Sequence, residues 1–177
     1  VLTGNRTETC QYYAFYFHVA DRERDSELFD TMLRKFGPAR DFEKVYPDVY
    51  KSNVLIGDYL RLFILLKEGY LEDVKQETVS YFYRMAELTG TLWEHDSVFA
   101  SLNHGLTSCI SVILTEAIFG LHKIDRKSRV IVLNKKTLPE AGRVCIPLDC
   151  GLLELTNDGK TVTAVAPKQY QIRFRGD

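Results

Sequence analysis

A chain of 177 residues with 45% hydrophobic and 27% charged residues has a globular composition and can bury a sizeable core, as one large domain or two small ones. Its net charge of −1 excludes a general electrostatic partner such as nucleic acid or an anionic membrane surface. No apolar run reaches the roughly 18 residues of a membrane span, and no Cys or His spacing suits a metal site.

The chain opens Val1-Leu-Thr-Gly4, with neither an initiator Met nor a signal pattern, so it is expected to be a piece of a longer protein. Residues 9–20 carry no formal charge, and a helix apolar on all sides must be surrounded by protein. After the charged run 21–25 a second helix is expected, capped by Ser26 and ended by Gly37-Pro38. Its Leu28, Phe29, Met32, Leu33 and Phe36 form one apolar stripe. The pair then recurs: residues 53–66 are nearly all apolar apart from Asp58 and Arg61, and residues 71–88 are amphipathic. A further apolar helix spans 104–119, with Glu116 as its one formal charge and Gly120 as its stop.

Buried and covering helices thus alternate, as an inner ring and an outer ring joined in hairpins would require. An irregular all-α domain fits the same pattern. Links into the covering helices are short (21–25 and 67–70), whereas links into the apolar ones are long (37–52 and 89–103). Long ordered loops tend to carry function, and both open onto the N-terminal ends of the inner helices. Beyond residue 122 the period changes from helical to two. Strands are expected at 129–133, 151–156, 161–166 and 168–174, with Asn157-Asp-Gly-Lys160 as a hairpin turn. The expected fold is mainly α followed by β, with a helical domain over 1–122 and a small antiparallel β-domain over 123–177.

The segment Thr89-Gly-Thr-Leu-Trp-Glu-His-Asp96, running on through Ser101-Leu-Asn-His104, holds the single tryptophan with two histidines and two carboxylates. A general base acting on water needs a carboxylate held beside the substrate, and Glu94 is the candidate. Trp93 offers an aromatic face to a sugar, while Asn103 and His104 offer hydrogen bonds to its hydroxyls. The same residues also read as a core plug (Trp93), a solvated acid (Glu94), a helix cap (Asn103) and a first-turn residue (His104). Tyr46, Asp48 and Asn53 on the preceding loop are secondary candidates, Asn53 also reading as a cap. Asp58 and Arg61 are expected to pair with each other or with a neighbour. Asn5-Arg-Thr7 matches a glycosylation sequon. Cys10 and Cys109 read as buried thiols, and Cys145 and Cys150 as a pair able to bridge a turn. No phosphate loop or nucleophile signature is present, and no cofactor is expected.

The order Thr7-Glu-Thr-Cys-Gln-Tyr-Tyr-Ala14, Ser52-Asn-Val-Leu-Ile-Gly57, Gly90-Thr-Leu-Trp-Glu94 and Ser101-Leu-Asn-His104 resembles the C-terminal half of the catalytic domain of bacterial α-L-rhamnosidases. These are six-hairpin glycosidases, so the resemblance implies a partial (α/α)6 toroid followed by a β-sandwich-like domain. It implies an inverting hydrolase of terminal α-L-rhamnosides in which Glu94 is the general base, Trp93 the aromatic beside it and His104 a sugar contact. The general acid would lie in the earlier half of the toroid, so the isolated chain should be inactive. A rhamnose-containing glycan and the rest of the same enzyme are the implied partners, and an extracellular or periplasmic location is implied with them. Glu8 stands where many members have glutamine, and the loop from Glu94 to His104 is short; each departure bears on sugar preference. Another six-hairpin enzyme or a non-catalytic carbohydrate-binding relative would share these features. A uronate substrate would call for a cation near Glu94, and no Lys or Arg lies between Thr89 and Asn103.

Overall fold

The computed structural model describes residues 6–52 and 54–176. Asn5 of the sequon and Asn53 lie outside the described residues. Contacts divide the chain into two compact units, Val1–Ile110 and Ser111–Asp177, earlier in the chain than the boundary expected after residue 122. Among the described residues no helix is long and apolar enough to cross a membrane.

The first unit is helical: α1 (Glu8–Tyr16), α2 (Ser26–Lys35), α3 (Leu55–Lys67), α4 (Leu71–Glu77) and α5 (Arg84–Thr89), the last two joined by a π-helical segment, Thr78–Tyr83. Thr7 caps α1 by accepting from the Cys10 N–H at 3.2 Å. Before α2 the capping position belongs to Asp25, not to the expected Ser26, which is already helical. The Asp25 carboxylate is drawn instead to the Asp21 N–H and the Arg24 guanidinium. Gly37, at positive φ, ends α2 where the sequence placed its stop, and Gly69 and Gly90, also at positive φ, follow α3 and α5.

Tyr12 and Phe15 of α1, Phe29 and Met32 of α2, and Leu60 and Ile64 of α3 form one core, with Phe15 and Phe29 edge to face at 5.3 Å. Burying each such side chain contributes about 1.5–3 kcal/mol. The amphipathic stripe of α2 is therefore what fastens it over α1 and α3. As expected, α3 is enclosed on nearly every side. The expectation for α1 is corrected: it buries Glu8, Tyr12 and Phe15 but leaves Tyr13 43% exposed, and Phe17 just beyond it 61%.

The second unit comprises most of α6 (Cys109–Phe119) and six strands: β1 (Leu121–Asp125), β2 (Val130–Leu133), β3 (Gly142–Leu148), β4 (Gly151–Asn157), β5 (Val162–Val165) and β6 (Gln171–Phe174). They form two sheets, ordered β1-β2-β6 and β3-β4-β5. Phe119, Ile131, Leu133, Leu153, Leu155 and Tyr170 make a core common to both sheets. The Asn157 amide donates to the Ile118 and Leu138 carbonyls, which ties α6 to this unit. The 157–160 turn closes the β4–β5 hairpin, with Asp158 accepting from the Lys160 and Thr161 N–H groups.

The β-domain is not wholly antiparallel, because β6 returns beside β2 in parallel register. Cys145 and Cys150 are free and exposed, since Cys145 lies opposite Glu154 in the β3–β4 ladder and Cys150 sits in the turn beyond it. Cys10 is exposed and Cys109 half-buried, so neither is the enclosed thiol expected.

Candidate functional site

Backbone bonds shape the 90–104 segment. The His104 N–H donates to the Leu92 carbonyl and the Glu94 N–H to the Ser101 carbonyl, both at 2.9 Å, closing it like a short hairpin. On its other side the Glu94 carbonyl accepts from the Leu55 N–H at 2.9 Å, and His95 bridges Val54. The α3 N-terminus has no side-chain cap, so the loop itself satisfies one of its open N–H groups. Glu94 is thereby held at the N-terminus of the enclosed helix α3. Its side chain is half-buried, and no hydrogen bond or ion pair from a described residue occupies its carboxylate.

His104 is half-buried with its Nδ1 enclosed and unpartnered, and Asn103 is exposed. Trp93 is 2% exposed and its indole N–H donates to the Thr89 hydroxyl at 2.7 Å. That burial corrects the expectation of a sugar-facing ring: the ring anchors the loop, and its faces are taken up by protein. Beyond Glu94, His95 Nδ1 lies 2.9 Å from the Asp96 carboxylate, and Phe99 at the apex is 95% exposed.

The N-termini of α1 and α3 adjoin. The Thr9 hydroxyl donates to Ser52 Oγ at 3.2 Å, and Gly57 of α3 lies so close to Ser52 that a Cβ there would sit 1.7 Å from the same oxygen. Between them lies a buried polar group centred on Glu8. Glu8, fully buried, forms an ion pair with the buried Arg40 and accepts from the Tyr12 hydroxyl at 2.8 Å and from the Gly37 and Ser52 N–H groups at 3.3 Å. Arg40 in turn donates to the carbonyls of Val45, Tyr46 and Val49, so the 37–52 loop is wrapped around one guanidinium. A charge alone in the apolar start of α1 was the signal for Glu8; Arg40 had none.

The secondary candidates are structurally engaged. Asp48 pairs with Arg6 at 2.6 Å, and Tyr46 packs edge to face on Phe36. Arg61 pairs with the neighbouring Glu77 at 2.7 Å and donates to the Met32 and Leu33 carbonyls. Asp58, 3% exposed, has no such ion pair; burial pushes its carboxyl up to about 8. An open cleft lined by Arg34, Lys35, Lys44 and Tyr46 takes no residue from the Glu94 loop.

No protein-family model matches the chain, and no curated protein sequence matches it. Among solved structures the chain is similar to the crystal structure of a GH78-family rhamnosidase of Bacillus sp. GL1, at 14% identity and a TM-score of 0.76. The match covers 98% of this chain but 19% of that one, so the chain spans about a fifth of its structural neighbour. What this likeness shows is the fold: a helical part followed by a small β-domain, as in that piece of a glycoside hydrolase.

Proposed function

We propose that this chain is the base-bearing piece of a glycoside hydrolase that cleaves terminal α-L-rhamnosides with inversion, its helices forming part of an (α/α)6 ring of hairpins. The observation that carries the reading is the placement of Glu94: an unengaged carboxylate on a loop bonded to the N-terminus of an enclosed helix. The fold likeness to a rhamnosidase over nearly the whole chain supports it.

In this reading Glu94 takes a proton from water as the water attacks the anomeric carbon, and an acid from outside the chain protonates the departing oxygen. Inversion needs the two carboxyl groups about 6.5–9.5 Å apart, with room between them for substrate and water. The loop bonds hold Glu94 in place, Trp93 fixes the loop from beneath, and Asn103 with the half-buried His104 supplies hydrogen bonds to sugar hydroxyls. The partners are a rhamnose-containing glycan and the remaining part of the same enzyme, and an extracellular or periplasmic location belongs to the same proposal.

The test follows hydrolysis of an aryl α-L-rhamnoside by the enzyme containing this sequence, with the anomers read by NMR before mutarotation. β-L-Rhamnose as the first product is the expected result. The α-anomer, or release from other glycosides and not from rhamnosides, overturns the reading.

A further inference from the structure

Where the 37–52 loop meets the last turn of α2, the helical unit carries a cleft of about 530 Å³. One side of it is rigidly built. The buried Arg40 guanidinium donates to the Val45 and Tyr46 carbonyls at 2.7 and 2.9 Å, and the Val49 N–H donates to the Tyr46 carbonyl at 2.9 Å. Tyr46 is held there at a φ of 52°, a backbone conformation that costs any residue but glycine and persists only where the surroundings impose it. Its exposed ring stands edge to face on Phe36 at 5.6 Å and walls the cleft. The charges there are unequal. Arg40 is balanced by Glu8, and Lys44 by Asp41 at 2.8 Å. Arg34 and Lys35, both exposed on the same cleft, have no ion pair or hydrogen bond with a described residue, although Asp30 precedes Arg34 by one turn. The dipole of α2 favours cations in its last turn, but it calls for neither a concave surface nor a strained tyrosine beside them.

We propose that this cleft binds the phosphoryl group of a small phosphorylated ring compound, with Arg34 and Lys35 on the phosphate oxygens and the Tyr46 ring against the organic part. A phosphate monoester carries about two negative charges near neutral pH, which matches the two uncompensated cations. The planar guanidinium donates to two phosphate oxygens at once, and the lysine adds a compact charge. An aromatic face suits the apolar side of a ring. The cleft takes no residue from the Glu94 loop, so this site stands apart from the reading above.

Calorimetric titration of the protein with glucose 6-phosphate, inorganic phosphate and glucose, at low salt and pH 7.5, tests it. The ester should bind most tightly, inorganic phosphate more weakly and glucose least. Replacing both Arg34 and Lys35 with glutamine should weaken the ester about tenfold or more, since its charge-assisted hydrogen bonds are lost. Both side chains are exposed, so far-UV circular dichroism should not change. Tyr46→Gly accepts the positive φ freely and should bring the ester down to the affinity of inorganic phosphate. No binding of either phosphate, undiminished binding in the double variant, or glucose binding as tightly as its phosphate overturns the proposal. Inorganic phosphate binding as tightly as the ester makes the free ion the ligand and overturns the part given to Tyr46. These titrations need no catalysis, so they stand or fall independently of Glu94.

Discussion

Replacing Glu8 with glutamine tests the buried centre of the helical unit at almost constant shape. The glutamine oxygen can still accept from the Tyr12 hydroxyl or from the Gly37 and Ser52 N–H groups. Its amide nitrogen, however, must face the Arg40 Nε–H or take over one of those donor-facing positions, so a donor meets a donor. The Arg40 side chain is fully enclosed, so its charge loses its counter-ion with no water to replace it. Removing one member of a buried pair typically costs about 3–5 kcal/mol. The three loop carbonyls that Arg40 retains hold the loss toward the lower end of that range. Urea unfolding at pH 7 measures it, and a cycle with Arg40→Met isolates the pair, since removing both charges should restore part of the loss. A Glu8→Gln change within about 0.5 kcal/mol, the range of an ordinary surface substitution, would refute the buried pair.

Asp58→Asn should raise stability at neutral and alkaline pH. A carboxyl held near 8 in the fold and near its ordinary value when unfolded takes up a proton on folding, so its contribution falls between about pH 4 and 8. At about 1.4 kcal/mol per pH unit, the gain over wild type should approach roughly 4 kcal/mol at pH 7 and be small near pH 4. Unfolding curves at pH 4.5, 7 and 9 check this slope. Gly57→Ala should destabilise by about 1–3 kcal/mol despite alanine's better helix propensity, because the new Cβ meets the Ser52 side chain and the Thr9 hydroxyl; chemical denaturation, with partial rescue by Ser52→Gly, is the assay. A reducing agent should leave the Tm unchanged in calorimetry, since all four cysteines are free.

Much of the helical order was legible because the physics is local. The α2 stripe repeats at helical spacing, and glycines 37, 69 and 90 permit the positive φ that ends a helix. What was hidden depends on distant partners. The run from Glu77 to Arg84 reads as ordinary amphipathic helix, and nothing in its spacing marks Thr78–Tyr83 as π-helical. β3 went unseen because Cys145 and Pro147 interrupt its alternation, and the parallel partnering of β6 with β2 is a matter of topology. In the candidate site the residues stood out by composition: an acid, a tryptophan and two histidines on one loop. Composition could not say that the Trp93 ring turns inward, because that is fixed by its bond to Thr89 and by the cross-loop hydrogen bonds.

The most direct test of Glu94 as the base is Glu94→Gln in the complete enzyme, assayed on an aryl α-L-rhamnoside. The amide preserves size but cannot take a proton from water, so kcat should fall by about 10²–10⁴ with KM and far-UV circular dichroism little changed. Turnover within about threefold of wild type would contradict the account.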